Sequence, residues 1–454
     1  MKKVVVQGLG FVGSAMSVAI ASRSKNKLEV VGIDLPNKIG NQRIDSINNG
    51  KFPFKTNDSK LLSELKKSVD QGYLKASSDP SFYNHADVVL VSVNCDVIEH
   101  NNKKIIDLEN FKKSINEISQ RVAEETLIII ETTVPPGTCE KIVYPLFENA
   151  FKNRGLDNSK LFLAHSYERV MPGKNYLDSI INFWRVYSGI NDESADRCKA
   201  FLEMFINTNE YPLTRLSNTN ASETSKLLEN SYRAVNIAFM EEWGRFAEEV
   251  GIDIYEIIDA IRMRPTHSNI RQPGFGVGGY CLTKDPLFAK IAARDIFKLD
   301  NHEFPFSSQS IKVNADMPKV TLNKIIDYFK GNINEKRILL MGATYRQDVG
   351  DTRFSPSESF AKDIIQMKGM ITVCDPLIDF WEEMKIKVKS KISDFTPFDA
   401  IIFAVPHIEF SKIDFSSISI SKQTLIFDAN NVLTKMQKKY LLNNKLNYAS
   451  IGRG

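Results

Sequence analysis

At 454 residues the chain is too long for one ordinary hydrophobic core, so two or three domains are expected. A formal net charge of +4, carried by scattered lysines, leaves no electrostatic footprint for nucleic acid or a membrane surface, and no apolar run approaches the length of a membrane span. Five cysteines, at 95, 139, 198, 281 and 374, are an odd set without a close pair, and the six histidines show neither HxxxH nor HxH spacing; this argues against a disulfide framework or a metal and for a reducing cytoplasm.

The first element is a β-branched run at residues 4 to 6, followed at once by Gly8-Leu9-Gly10-Phe11-Val12-Gly13 and the helix-compatible Ser14 to Ser22. Strand, glycine turn and helix in that order suit a pyrophosphate held by helix N–H groups. A second strand, Glu29 to Ile33, ends in Asp34. That is about twenty residues past the glycines, where an acid holds ribose hydroxyls and repels a 2′-phosphate, so NAD rather than NADP is expected.

The alternation continues with a buried-strand run at Ala86 to Val93, a helix at Leu108 to Ala123 and a strand at Thr126 to Ile130. Glu131-Thr132-Thr133-Val134-Pro135-Pro136-Gly137-Thr138 then falls at a strand's C-terminal end, the side on which open α/β sheets bind ligands. Another strand, Leu161 to Ala164, runs into Ser166-Tyr167-Glu168-Arg169-Val170-Met171-Pro172-Gly173 and brings a carboxylate and a guanidinium to the same edge. Asn220 to Glu249 reads as one long helix with Lys226 and Asn230 on one face, and Asp253 to Ile261 as another.

Next comes Pro273-Gly274-Phe275-Gly276-Val277-Gly278-Gly279-Tyr280-Cys281-Leu282-Thr283-Lys284-Asp285. Glycines at this density let main-chain N–H groups approach an anion or sugar, and a cysteine beside them, three residues from a lysine, is a candidate nucleophile. The alternative is a glycine turn with an inert buried thiol. After Met317-Pro318 the pattern changes back, with strands at Arg337 to Gly342, Met370 to Cys374, Ala400 to Ala404 and Thr424 to Phe427 and a helix at Ser357 to Met367. The first turn there, Gly342-Ala343-Thr344-Tyr345-Arg346, lacks a GxGxxG, so no second dinucleotide site is expected. The fold class is therefore α/β, with two Rossmann-like doubly wound domains (1–217 and 318–454) joined by a central all-helical domain (218–317).

With these residues in hand the chain resembles, from end to end, the UDP-glucose/GDP-mannose dehydrogenase family. The specific combination is Gly278-Gly279-Tyr280-Cys281-Leu282-Thr283-Lys284-Asp285-Pro286 after a helix bearing Lys226 and Asn230, followed by Asp348-Val349-Gly350-Asp351-Thr352-Arg353-Phe354-Ser355-Pro356. The resemblance implies oxidation of a sugar C6 alcohol to the carboxylate with two NAD⁺ and one water, through an aldehyde captured on cysteine. It makes Cys281 the nucleophile, sets Lys226, Asn230 and Asp285 around the C6 oxygen and the water, and gives Thr133 and Glu168 to water placement and proton handling. Gly8, Gly10, Val12, Gly13, Asp34, Thr133, Lys284 and Arg353 become the NAD contacts. Glu168, Arg169, Val170, Lys226, Asn230, Arg271, Gly274, Gly278 and Arg346 become the contacts to a UDP-sugar.

Three positions depart from the family pattern: Arg346 in place of lysine, Asn430-Asn431 where an arginine is common, and Asn94-Cys95-Asp96 in place of a Thr-Pro pair. Glu168-Arg169-Val170-Met171-Pro172-Gly173 and the Gly-Val-Gly-Gly run point to the N-acetylhexosamine branch ahead of UDP-glucose. The long helix predicts a homodimer or a dimer-based assembly. Two rival readings are a 6-phosphogluconate or hydroxyisobutyrate type of dehydrogenase, which leaves Cys281 and residues 318 to 454 unexplained, and a nucleotide-sugar-binding protein without catalysis, which would not need to keep Cys281 and Lys226.

Overall fold

The computed structural model describes residues 2–23, 28–101 and 103–454. Two compact units divide them: the chain through Glu229 together with Leu287–Glu303, and Asn230–Pro286 together with Phe304–Gly454.

In the first unit, strands β1 (Lys3–Gln7), β2 (Glu29–Ile33), β3 (Leu74–Ser77), β4 (Val88–Val91), β5 (Leu127–Ile130), β6 (Phe162–His165), β7 (Val186–Gly189) and β8 (Thr214–Arg215) form one sheet in the order β8-β7-β6-β5-β4-β1-β2-β3. Pairing is parallel from β3 to β6, while β7 runs antiparallel to β6. Successive residues of each inner strand enter different cores. Val4, Val6, Leu90 and Ile129 pack with Met16 and Ile20 of helix α1 (Phe11–Arg23), whereas Val5, Val89, Val91, Ile128 and Ile130 pack with Phe111 and Ile115 of the Glu109–Ser119 helix. A sheet buried on both faces is why these strands read as unbroken apolar runs. The order reverses between β1 and β4, so the turns leaving those two strands flank a crevice.

Four long helices follow in the chain: α2 (Thr219–Val250), α3 (Ile254–Arg262), α4 (Asp285–Asp295) and α5 (Pro305–Tyr328). The change of character at Met317-Pro318 is not a helix end, for α5 continues through Pro318. The proline ring is buried and lies against the site where a Cβ on Gly276 would stand, 3.2 Å from its Cγ, so packing on the glycine loop offsets the lost backbone hydrogen bond.

The second sheet comprises β9 (Arg337–Met341), β10 (Met370–Cys374), β11 (Ala400–Phe403), β12 (Leu425–Asp428) and β13 (Asn447–Ser450), all parallel in the order β10-β9-β11-β12-β13. It too is covered on both faces: Ile338, Leu340 and Ile402 pack with Phe360 and Ile364 of α6 (Pro356–Gln366), and Leu339, Met341 and Phe403 enter a separate core. Its order reverses between β9 and β11, which puts residues 342–353 and the turn after Phe403 at its ligand edge. The two doubly wound sheets with helices between them in the chain are the architecture expected from the sequence.

Candidate active site

In the first unit the glycine turn is closed tightly around its own backbone. Gly8 has φ +92°, and a Cβ there would meet Ser92 O at 2.7 Å; one on Gly13 would meet Gly8 O at 1.8 Å. Gly10 is different, because nothing lies within 4 Å of its Cβ position. The open space stands at the N-terminus of α1, where a pyrophosphate is favoured. Asp34 closes the turn from β2, accepting from Leu9 N–H at 3.2 Å and Leu35 N–H at 2.8 Å. Its Oδ2 also pairs with Arg43 Nη1 at 3.1 Å, a residue on the Lys38–Asn48 helix that sequence reading missed because nothing in its spacing ties it to the acid. Val12 is half-buried at the start of α1. These residues fit a dinucleotide.

The first turns of α2 grip the loops that leave β5, β6 and β7. Ser222 Oγ bonds His165 Nδ1 and Ser188 Oγ, each at 2.7 Å, and burial pushes the His165 imidazole down to about 3, so the ring is neutral. Glu223 accepts from Gly137 N–H and Cys139 N–H, and Ser225 bonds the Tyr167 hydroxyl. Lys226 Nζ donates to Glu168 O at 2.7 Å, stands 3.7 Å from the Glu168 carboxylate and lies over the Tyr167 ring. Glu168 in turn accepts from Val170 N–H, and Arg169 pairs with Glu229 at 3.0 Å. Lys226, Glu168, Arg169 and Val170 thus form one cluster, with Thr133 half-buried on the neighbouring loop. The sequence had pointed to Lys226; a carboxylate three residues before it on the same helix was the unused clue to Glu223.

In the second unit Cys281 is exposed, and its carbonyl accepts from Lys284 N–H at 3.2 Å and Asp285 N–H at 2.9 Å. This places Cys281 one turn ahead of α4, the helix end at which negative charge is favoured. Asp285 is fully engaged: Oδ2 accepts from Asn230 Nδ2 at 2.8 Å and Oδ1 pairs with Lys284 Nζ at 3.1 Å. Lys284 lies over Tyr280, as does Arg353, which is held by Asp351 at 2.8 Å. The glycines ahead of Cys281 are filled from outside. A Cβ on Gly279 would meet the Tyr345 ring at 2.6 Å, and Gly274 abuts the Asn430 side chain. Burial raises the Tyr345 hydroxyl above its ordinary range, with Asp351 adding to the effect. Phe275 anchors the loop in the core of the second sheet, edge-on to Phe360 at 5.4 Å. Arg271 and Arg346 are exposed, and Arg271 N–H donates to Asn236.

Asp375, at the end of β10, occupies the place that Asp34 holds at the end of β2. It is wholly buried and accepts from Ala343 N–H, Thr344 N–H and Thr344 Oγ1, with His407 Nε2 at 3.1 Å. With Oδ1 accepting from Leu377 N–H and the whole side chain 0% exposed, this carboxylate serves the fold of its own turn and presents no open face to a ribose, which adds a physical reason to the missing glycines. Among the described residues no group of His, Cys, Asp and Glu could hold a metal ion, and no helix is long and apolar enough to cross a membrane.

Of the two sheets, only the first leaves its turn open to a dinucleotide, and hydride chemistry is what such a cradle serves; the protein is an NAD-dependent oxidoreductase with a second nucleotide-type domain. Models of the UDP-glucose/GDP-mannose dehydrogenase family match the chain in all three parts: the NAD binding domain over residues 2–206, the central domain over 220–316 and the UDP binding domain over 339–435. The chain belongs to this family and is a nucleotide-sugar dehydrogenase. It is similar to the UDP-N-acetyl-D-mannosamine dehydrogenase of Methanocaldococcus jannaschii, 30% identical over 96% of this chain and 93% of the relative. Another relative, the NDP-N-acetyl-D-galactosaminuronic acid dehydrogenase of Ralstonia nicotianae, is 26% identical over 91% of this chain and 92% of its own length. The solved structure of UDP-D-ManNAc dehydrogenase from Pyrococcus horikoshii superposes with a TM-score of 0.82 at 25% identity, covering 100% of this chain and 99% of that one. The central and UDP-binding matches account for the residues that a hydroxyisobutyrate-type reading leaves over, and membership of an enzyme family removes the non-catalytic one.

Proposed function

We propose that the protein oxidises the C6 alcohol of a UDP-N-acetylhexosamine, UDP-N-acetylmannosamine first and UDP-glucose next, to the uronic acid as a precursor of surface polysaccharide. The sugar rests on the names of the archaeal relatives and on the Glu168-Arg169-Val170-Met171-Pro172-Gly173 loop. The chemistry rests on one observation: Cys281 is exposed, whereas Cys95, Cys139, Cys198 and Cys374 are buried. Gly8, Gly10, Val12, Gly13 and Asp34, with Thr133, Lys284 and Arg353, would hold NAD⁺, and two NAD⁺ taken up in turn would each supply the hydride acceptor for one of the two oxidations.

The first oxidation takes the C6 hydroxyl proton to a base and leaves an aldehyde. The sulfur of Cys281 adds to that carbon and its proton passes to oxygen, forming a thiohemiacetal. Loss of a second hydride and the hydroxyl proton leaves a thioester, and water cleaves the C–S bond, releasing the acid and restoring the thiol. Lys226 and the amide of Asn230 stabilise the oxygen while it is negative. Asp285 holds Asn230 and Lys284 in their working orientation, while Thr133 and Glu168 manage the water and its protons. Arg169, Val170, Arg271, Gly274, Gly278 and Arg346 contact the UDP-sugar, Arg346 offering a planar fork to a phosphate. The five cysteines, none in a disulfide, suit a reducing cytoplasm.

The test is NAD⁺ reduction against a panel of UDP- and GDP-sugars, with the mass of each product, for the parent and Cys281→Ala. Two NADH per sugar acid with UDP-N-acetylmannosamine is expected from the parent, and aldehyde alone from Cys281→Ala. Full oxidation by Cys281→Ala at the parent's rate would overturn the thioester route.

A further inference from the structure

We propose that Glu223 is a positioning residue that sets the Thr133 hydroxyl by anchoring the Thr133–Cys139 turn to α2. The proposal rests on the reading of Thr133 as a residue that places the water. Thr133 leaves β5 on a turn with two consecutive prolines, Pro135 and Pro136, which carry no N–H. Within the turn, Thr138 satisfies itself on Pro135 O through both its N–H and its hydroxyl. The next donors, Gly137 N–H and Cys139 N–H, meet Glu223 Oε2 at 2.7 Å and Oε1 at 2.8 Å. On the other side Gly137, at φ +88°, is boxed by Ile296 and Phe297, whose atoms stand 2.8 and 3.0 Å from where its Cβ would be. The turn is therefore held from both flanks, and one carboxylate supplies one flank.

Glu223 is 0% exposed, and among the described residues no cation is bonded to it. A buried carboxylate without a cation works against folding, and two packed apolar groups would serve the fold better. What a carboxylate alone offers is two equivalent acceptors for two N–H groups at fixed spacing. Burial pushes its carboxyl up to about 7; the facing Cys139 thiol and the Cys139 and Gly137 amides pull it down, and Glu140 pushes it up. Protonation replaces one acceptor by a donor, so the anchored turn belongs to the ionised form.

Glu223→Gln imitates the protonated state permanently, turning an N–H toward an N–H. The full-length variant should lose kcat on the order of 10- to 100-fold, with KM for NAD⁺ little changed. It should also lose the rise of kcat through pH of about 7 and exchange the amides of Gly137 and Cys139 faster than the parent. A variant with the parent's kcat and pH profile overturns the proposal. In case the variant folds poorly, the parent alone suffices: hydrogen exchange of Gly137 and Cys139, corrected for intrinsic rate, should lose protection as pH falls through about 7, and pH-invariant protection overturns the anchor. Thr133→Ala separates the two readings. If it keeps the parent's kcat while Glu223→Gln loosens the turn, the role of Thr133 fails and the anchor stands; slow Thr133→Ala beside an unloosened Glu223→Gln fails the anchor instead.

Discussion

We propose that the Asp34–Arg43 ion pair decides cofactor choice. The carboxylate accepts from Leu9 N–H and Leu35 N–H and pairs with the Arg43 guanidinium, so a 2′-phosphate arriving there meets an acid whose neighbouring cation is already paired. Replacing Asp34 with Ser removes the repulsion and releases Arg43, which suits a phosphate better than an ammonium does. The ratio of kcat/KM for NADP⁺ to that for NAD⁺ should rise about tenfold or more in Asp34→Ser. An unchanged ratio in steady-state kinetics would mean that discrimination lies elsewhere on the first sheet. At this scale Asp34 was legible because its distance from the glycines is fixed by a strand and a helix. Arg43 was not, since its approach depends on how the stretch after β2 folds back.

The two glycine turns are built for opposite ends, and the same substitution should tell them apart. A Cβ on Gly278 would stand 2.7 Å from Phe354 O, 2.8 Å from Pro356 Cδ and 2.8 Å from Tyr345 Cβ, none of which is the free end of a flexible side chain. Gly278→Ala must therefore shift the loop that carries Cys281, at a cost of ~1–3 kcal/mol in stability and on the order of 10²-fold in kcat/KM. Gly10→Ala meets nothing within 4 Å, so its melting temperature should match the parent's while KM for NAD⁺ rises. Reversed signatures in thermal melts and kinetics would undo this assignment of the two turns. Elements with strong periodicity were readable to within a residue or two, as α2 and β2 show. The helix that runs on through Pro318 was not legible because the proline ring is accommodated by tertiary packing, and the antiparallel β7 escaped notice because four residues carry no orientation. The pairings of Lys226 with Glu168 and of Asn230 with Asp285 bring together residues some 55 or more positions apart, which spacing alone does not disclose.

Helix α2 presents more apolar surface than a lone chain in water has use for. Leu228, Tyr232, Phe239, Trp243, Phe246 and Val250 are each about half exposed or more, at 67, 51, 50, 47, 51 and 50%. Their intervals of three, four and seven residues align them on one face of a continuous helix, and Trp243 packs edge-on to both Phe239 and Phe246. A contiguous apolar stripe of this length marks an interface. A second copy is the economical occupant, because a two-fold axis lets one stripe serve as both halves of the contact. We propose a homodimer built on this face. A charge placed at the centre of the stripe in each copy is met by its like across the two-fold axis. Trp243→Glu should then convert the dimer to monomer in light scattering at low micromolar concentration, while leaving the far-ultraviolet circular dichroism of the helices in place. A parent that is already monomeric at that concentration, or a variant that keeps the parent's mass, would remove α2 as the dimer surface.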